Sequence, residues 1–423
     1  MNAKKASIKR EFWAGLTTFL TMLYIVAVNP AILSTPGTGM AFSGVMTATV
    51  LLCFSMTLLM GLYAKLPFAV GPGMGINAFF TFSLILGDQV PWQVALGMVF
   101  WSGVLFVLVS ATPLRVSFAR AIPNHLRVAS AVGIGLFLAF IGLKNSGLVV
   151  ADPVTFVRMG KIDTPILLSL VAYLVTIPLL RRKSPLAFIA GIATVTLLSI
   201  FMGQTHFPDS MIAAPDFESV FLKLDIWGAL KLGFIPVILS LMFTDLFDSI
   251  STLVGVSHAA GMRDKDGEPR GLREGLIVDA FATLTAGLMG TSSGTAFVES
   301  AAGVEAGGRT GLTSVFTALF FLPLFFFSPL VAMIPAIATA PVLVIVGALM
   351  FRSIGDIKFQ KLEEAFPAFL MIVLIPLTFS ITKGLMWGFV SHGILFLLAG
   401  RRQELSLTMM GLTILSGFFL YYS

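Results

Sequence analysis

Residues 290–308 read GTSSGTAFVESAAGVEAGG, a glycine-, serine- and threonine-rich stretch that carries Glu299 inside otherwise apolar sequence. A helix that only had to sit in lipid would be built from Leu, Ile, Val and Phe, and an acid at mid-membrane costs roughly 2.5 to 3.5 kcal/mol or more. The small residues on both sides of Glu299 permit a close backbone approach or an unwound segment. Backbone groups freed in that way are tolerated at membrane depth only where protein or a polar cavity meets them. The stretch therefore predicts a cavity with Glu299 at it.

Residues 71–80, GPGMGINAFF, are a second stretch of the same kind, in which Gly71, Pro72, Gly73 and Gly75 lead into Asn77. The two interruptions lie about half a chain length apart, and each is the third hydrophobic element of its half. Gly/Pro-broken segments at matching places in two halves point to an inverted-repeat transporter with its site between them.

Composition agrees. Hydrophobic residues make up 57% of the chain and charged residues 11%, with a mean hydropathy of +0.96, which excludes a soluble domain of this length. Apolar runs of about 20 residues alternate with short charged loops, the pattern of α-helical spans and not of a β-barrel. The lone Cys53 lies in one such run, has no partner for a disulfide or a metal, and reads as a packing residue. The net charge of +6 comes from short basic clusters between spans, which set topology and give no ground for a nucleic-acid partner. The first run follows Lys4, Lys5, Lys9 and Arg10 without a small-residue cleavage site, which predicts a retained span and a cytoplasmic N-terminus.

In order, spans are expected at about 12–29, 43–64, the interrupted third, 91–110, 125–148, 164–180 and 185–203. A polar loop, 204–227, separates the halves. The second half runs 228–257, 275–289, the interrupted tenth, 311–334, 337–353, 365–381 and 384–400, which makes fourteen, with 405–421 left over. Basic residues fall in alternate loops: Arg115, Arg120 and Arg127; Arg181, Arg182 and Lys183; Arg263, Lys265, Arg270 and Arg273; Arg352, Lys358 and Lys361; Arg401 and Arg402. These loops would face the cytoplasm. The opposite loops carry Asp88 or the acid-rich set Asp209, Asp216, Glu218 and Asp225, although Lys144, Arg158 and Lys161 run against the pattern.

Few acids fall inside spans. Asp245 and Asp248, three apart in TDLFDSIST, share one helix face in the eighth span and would look toward Glu299. A carboxylate there could accept hydrogen bonds from the N–H groups of a heteroaromatic ligand, and Asn77 can both donate and accept. Phe79, Phe80 and Phe297 flank these groups and could stack on a planar ring. Asp279, in the ninth span, suits either the site or a helix end. Glu305, four residues before Arg309, suits a helical ion pair with it. Of the four histidines, His125 and His258 fall near cytoplasmic ends, His206 in an outer loop, and His392 alone in the fourteenth span. They form no metal pattern, and there is no P-loop, so neither a metal, a cofactor nor ATP-driven pumping is expected.

Taken together, GPGMGINAFF, FTDLFDSISTLVGV, DKDGEPRG and GTSSGTAFVESAAGVEAGGRTG resemble the AzgA-like purine permeases of the nucleobase–ascorbate transporter superfamily, over nearly the whole chain. The resemblance implies an all-α polytopic membrane protein with fourteen spans in two inverted repeats of seven, and short extended strands in spans three and ten. It implies a core domain at 12–110 and 228–334 and a gate domain at 111–203 and 335–400. Residues 1–11 would be the cytoplasmic N-terminus, 204–227 an extracytoplasmic linker and 401–423 an apolar C-terminal segment. The implied activity is uptake of adenine, guanine or hypoxanthine with protons across the cell's inner (plasma) membrane. A homodimer is compatible with the sequence and not specified by it.

Carried over by motif, Asn77 would be the polar group of span three, Asp248 the acid of span eight and Glu299 the acid of span ten, with a weaker match for Asp245. The uracil and xanthine branches usually have Asn after the span-ten acid or Gln, where Ser300 stands here. A histidine one turn beyond the span-eight acid, frequent in uracil carriers, is here Thr252. The expected site thus holds a purine on Glu299 and Asp248, with Asn77, Ser300, Phe79, Phe80 and Phe297 around it. Asp248, Glu299 or Asp245 would carry the proton. The alternatives are a uracil or xanthine carrier, an anion carrier of the same architecture, a channel, or a membrane enzyme using the three acids.

Overall fold

The computed structural model describes residues 7–112, 122–259, 261–262 and 271–422. Lys4, Lys5, Arg115, Arg120, Arg263, Lys265 and Arg270, used above for topology, and most of the DKDGEPRG hairpin lie outside the described residues.

Span one is two helices, Ile8–Met22 and Ile25–Leu33, meeting at Leu23 and Tyr24. Span two runs from Phe42 to Ala64, its last turn widened to π geometry. Spans four to seven are Trp92–Ala111, Asn124–Asn145, Thr164–Arg181 and Ala187–Phe201. Spans eight and nine are Ile235–Ala259 and Leu272–Met289. Gly311–Phe321, extended by a 3-10 turn to Phe326, is span eleven, and Ala336–Phe351, Leu362–Thr378 and Ile381–Leu398 complete the fourteen. Among the described residues, eight helices are long and apolar enough to cross a membrane by length and composition alone. The leftover segment is a separate helix, Leu407–Tyr422, lying along span fourteen.

Spans three and ten are broken where their glycines and Pro72 stand. Each begins as a strand, Val70–Pro72 or Gly294–Ala296, and continues as a short helix, Met74–Ala78 or Ser300–Glu305. The strands pair antiparallel, Val70 with Ala296, Gly71 with Thr295 and Pro72 with Gly294, as an inverted relation of the halves requires. The pairing answers the polar backbone these breaks expose. Gly73 N–H donates to Ser293 O at 2.9 Å, and Phe297 N–H to Ala69 O at 2.9 Å. Side chains take most of the remainder: Val70 N–H donates to Thr57 Oγ1 at 2.9 Å and Ala69 N–H to Ser300 Oγ at 3.0 Å. Gly71 also lets the strand pack closely, since a Cβ there would stand 3.0 Å from Cys53 Sγ and 3.2 Å from the Phe297 ring.

Small residues let the helices around this pair cross closely. Spans four and nine meet at Gly103 and Gly287, where an added Cβ would lie 2.3 Å from Leu284 N and 2.8 Å from Leu96 O. Spans five and twelve meet at Gly135 and Gly347, where a Cβ on Gly347 would come 2.3 Å from Gly135 O. Spans one and two also pack on eleven, five on thirteen, and six on seven.

The loop between the halves is pinned to the helix ends and is not a slack tether. Asp216 N–H donates to Thr47 Oγ1 at 3.0 Å, Leu222 N–H to Leu288 O at 2.8 Å and Asp225 N–H to Gln93 O at 2.8 Å. Span eight begins later than the apolar run suggested, because 3-10 turns occupy Gly228–Leu230 and Leu232–Phe234. Between spans five and six lies an unforeseen hairpin, Val149–Asp152 with Phe156–Met159, in which Arg158 pairs with Asp152 at 3.5 Å.

Candidate functional site

Three discontinuities converge: the joint of span one at Tyr24 and the paired strands of spans three and ten. Glu299 follows the second strand, at the start of the Ser300–Glu305 helix, and is half-buried. Tyr24, 1% exposed, donates from Oη to Glu299 Oε1 at 2.7 Å. The tyrosine ring lies 4.7 Å, centroid to centroid, from Phe188 in span seven.

Asp248 is exposed, although Phe247 and Ser249 beside it are 6% and 0% exposed. The exposure follows one face of span eight through Asp248, Ser251 and Gly255, and nothing stands within 4 Å of a Cβ built on Gly255. A lipid-facing stripe would carry Leu or Phe there. An acid, a serine and a glycine there mark this face as bordering a polar cleft and not lipid. Asp248 and Glu299 are close enough to act on one another electrostatically, and the Thr295 hydroxyl lies within bonding reach of Asp248.

Asp245, three residues earlier, has a different place. It is fully buried, and its Oδ2 accepts from the Thr283 hydroxyl at 2.7 Å and from the Ser293 hydroxyl. It thus fastens span eight to spans nine and ten, away from the cleft. Asp279 does the same one turn away, with Oδ2 accepting from the Ser249 hydroxyl. Each of the two leaves its Oδ1 without a partner. Asp245, Asp248, Asp279 and Glu299 form one electrostatic cluster, and the ion pairs among the described residues include none of them.

The other residues expected at the site stand behind it. Asn77 is 0% exposed, and its Oδ1 accepts from the Ser292 hydroxyl, tying span three to span ten. Ser300 is enclosed as the acceptor for Ala69 N–H. Phe79, Phe80 and Phe297 are buried core rings, and Phe297 packs over Gly71. The aromatic groups on the Glu299 side are Tyr24 and Phe188, which the sequence reading did not single out. Its one signal for Tyr24 was a phenol, among only five in the chain, placed mid-run in an apolar span, where a buried hydroxyl needs a partner.

Two pairings differ from expectation. Glu305 meets Lys183 of the loop between spans six and seven at 3.0 Å, while Arg309 donates from its side chain to the carbonyls of Val304 and Gly308. Chain separation hid the first partner, and the turn at Gly307–Gly308 takes Arg309 off the helix face an i,i+4 pair needs. His392 is not alone: its Nδ1 lies 3.2 Å from His125 Nε2 of span five.

Fourteen spans, two of them broken into a shared strand pair beside an acid-lined cleft, define a polytopic membrane transporter. The fold resembles the transmembrane domain of the cyanobacterial bicarbonate transporter BicA, with a TM-score of 0.67 at 16% identity over 92% of this chain and 98% of that one. The family Xan_ur_permease, described as a permease family, matches residues 9–387. The adenine permease AdeP of Escherichia coli (strain K12) is 40% identical over 94% of this chain and 89% of its own. The guanine/hypoxanthine permease PbuO of Bacillus subtilis (strain 168) is 39% identical over 96% and 95%. The chain belongs to this permease family and is a transporter, not an enzyme.

Proposed function

We propose that the protein imports purine nucleobases, adenine, guanine or hypoxanthine, with protons across the cell's inner (plasma) membrane, its N-terminus in the cytoplasm. The observation that carries this reading is the pair Glu299, at the break of span ten, and Asp248, on the exposed face of span eight, two electrostatically coupled acids that have no ion-pair partner among the described residues. Such a pair accepts hydrogen bonds from the N–H edge of a purine and repels an anion, which would call for positive charge at the breaks. The names of AdeP and PbuO favour the purine over uracil or xanthine.

In this mechanism Glu299 and Asp248 bond the base. Asn77, Ser300, Phe79, Phe80 and Phe297 hold the strand pair and its helices from behind. A proton on Glu299 or Asp248 lowers the charge carried by the loaded site, and Asp245 acts through the span-nine and span-ten hydroxyls that it fixes. Spans one to four and eight to eleven move as a core against a gate of spans five to seven and twelve to fourteen. The packing of one and two on eleven, four on nine, and five on twelve and thirteen supports that division.

The test is uptake of radiolabelled adenine, guanine, hypoxanthine, uracil and bicarbonate into proteoliposomes, with and without an inward proton gradient. Saturable purine uptake stimulated by the gradient is the expected result. Bicarbonate or uracil uptake without purine uptake would overturn the reading.

A further inference from the structure

Resting on that reading, we infer that Tyr24 is a positioning residue that sets how Glu299 meets the purine. The phenol is enclosed, at 1% exposure, and the partner of its hydroxyl is Glu299 Oε1 at 2.7 Å. A carboxylate has two oxygens and can turn about its last bond. Holding Oε1 on Tyr24 restricts that rotation and so sets the direction in which the rest of the carboxylate is offered to a ligand. Glu299 then presents one directed acceptor and not a freely turning pair, which selects a base whose N–H lies at one place along its edge.

The position of Tyr24 gives the contact its rigidity. It sits at the joint between Ile8–Met22 and Ile25–Leu33, where Ala27 N–H and Val28 N–H both donate to Tyr24 O, at 3.1 and 2.9 Å. Just beyond, Asn29 Nδ2 reaches Thr49 Oγ1 at 2.7 Å and Thr291 Oγ1 at 3.0 Å, which anchors this half of span one to spans two and ten. On its other side the ring rests on Phe188, 5% exposed, in span seven. The hydroxyl thus addresses the site while the ring touches the proposed gate.

The test is equilibrium binding of tritiated adenine and hypoxanthine to the purified full-length protein and to Tyr24→Phe, Glu299→Gln and the double variant. Tyr24→Phe keeps the Phe188 contact and removes one oxygen. Binding is expected to weaken about tenfold or more, as the loss of one hydrogen bond to a charged group would give. Since Tyr24 acts through Glu299, the double variant should bind no more weakly than Glu299→Gln alone. A ring serving only packing would leave Tyr24→Phe at the parent affinity, and a role independent of Glu299 would make the two effects add. Either result overturns the inference. Should Tyr24→Phe not fold, Glu299→Asp, which draws the carboxylate away from an intact Tyr24, is to be compared with Glu299→Gln. A change in the adenine-to-hypoxanthine preference of Glu299→Asp supports the inference, and an unchanged preference overturns it. Absence of purine binding by the parent would overturn the proposed function and this inference with it, whereas parental binding with an unaffected Tyr24→Phe overturns the inference alone.

Discussion

Ser292 donates its hydroxyl hydrogen bond to Asn77 Oδ1, joining two residues 215 apart in the chain at the point where spans three and ten are both interrupted. Neither side chain meets solvent. Asn77→Ala leaves the Ser292 hydroxyl enclosed without that acceptor, a loss of about 1–3 kcal/mol. A lower melting temperature of the purified protein in detergent is expected, with the KM of the protein that remains folded close to that of the parent. A rise in KM without loss of stability would place Asn77 on the substrate instead.

Gly294 opens the span-ten strand with its Cα against span nine. A Cβ there would stand 2.9 Å from Ala282 Cβ and 3.0 Å from the Ala282 carbonyl carbon and oxygen, and backbone cannot turn aside as a side chain can. Gly294→Ala should destabilise by about 1–3 kcal/mol and abolish transport, because the strand must shift away from Val70–Pro72. Thermal unfolding and uptake measured together check this, and a parental melting temperature would contradict it.

The loop between the halves offers a test by pH. Partial burial of Asp216 works against its ionisation, but the hydroxyls of Ser43 and Ser219 and the backbone N–H groups of Ser219 and Glu218 all donate to it, holding its carboxyl below the ordinary 3.8. A group whose folded value is depressed contributes stability that is present above the unfolded value and lost as pH falls through the folded one. Asp216→Asn should therefore lie below the parent in melting temperature at pH 7. The gap should close as pH drops below about 4. A gap that stays constant with pH would mean that the carboxylate contributes nothing there.

The breaks of spans three and ten were legible because their cause is local: Gly71, Pro72, Gly73 and Gly294 cannot sustain a buried helix, and Glu299 and Asp248 are charges where lipid tolerates none. What stayed hidden depended on distant partners. Nothing near Tyr24 in sequence announces Glu299, 275 residues on. The pairs Glu305–Lys183 and His392–His125 are likewise made across spans. The three-residue spacing of Asp245 and Asp248 put both on one helix face, yet that face is wide enough for one to look into the cleft and the other into spans nine and ten. Burial of Asn77 was illegible for a related reason, since an amide that reads a ring edge and one that ties a broken backbone carry the same letter.

The most direct measurement is equilibrium binding of a tritiated purine to purified Glu299→Gln and Asp248→Asn beside the parent. Both acids are expected to bond the base, so each variant should lose about tenfold to a hundredfold in affinity, the range of one charged hydrogen bond, while melting near the parent. Parental affinity in both variants would contradict the assignment of this cleft as the purine site.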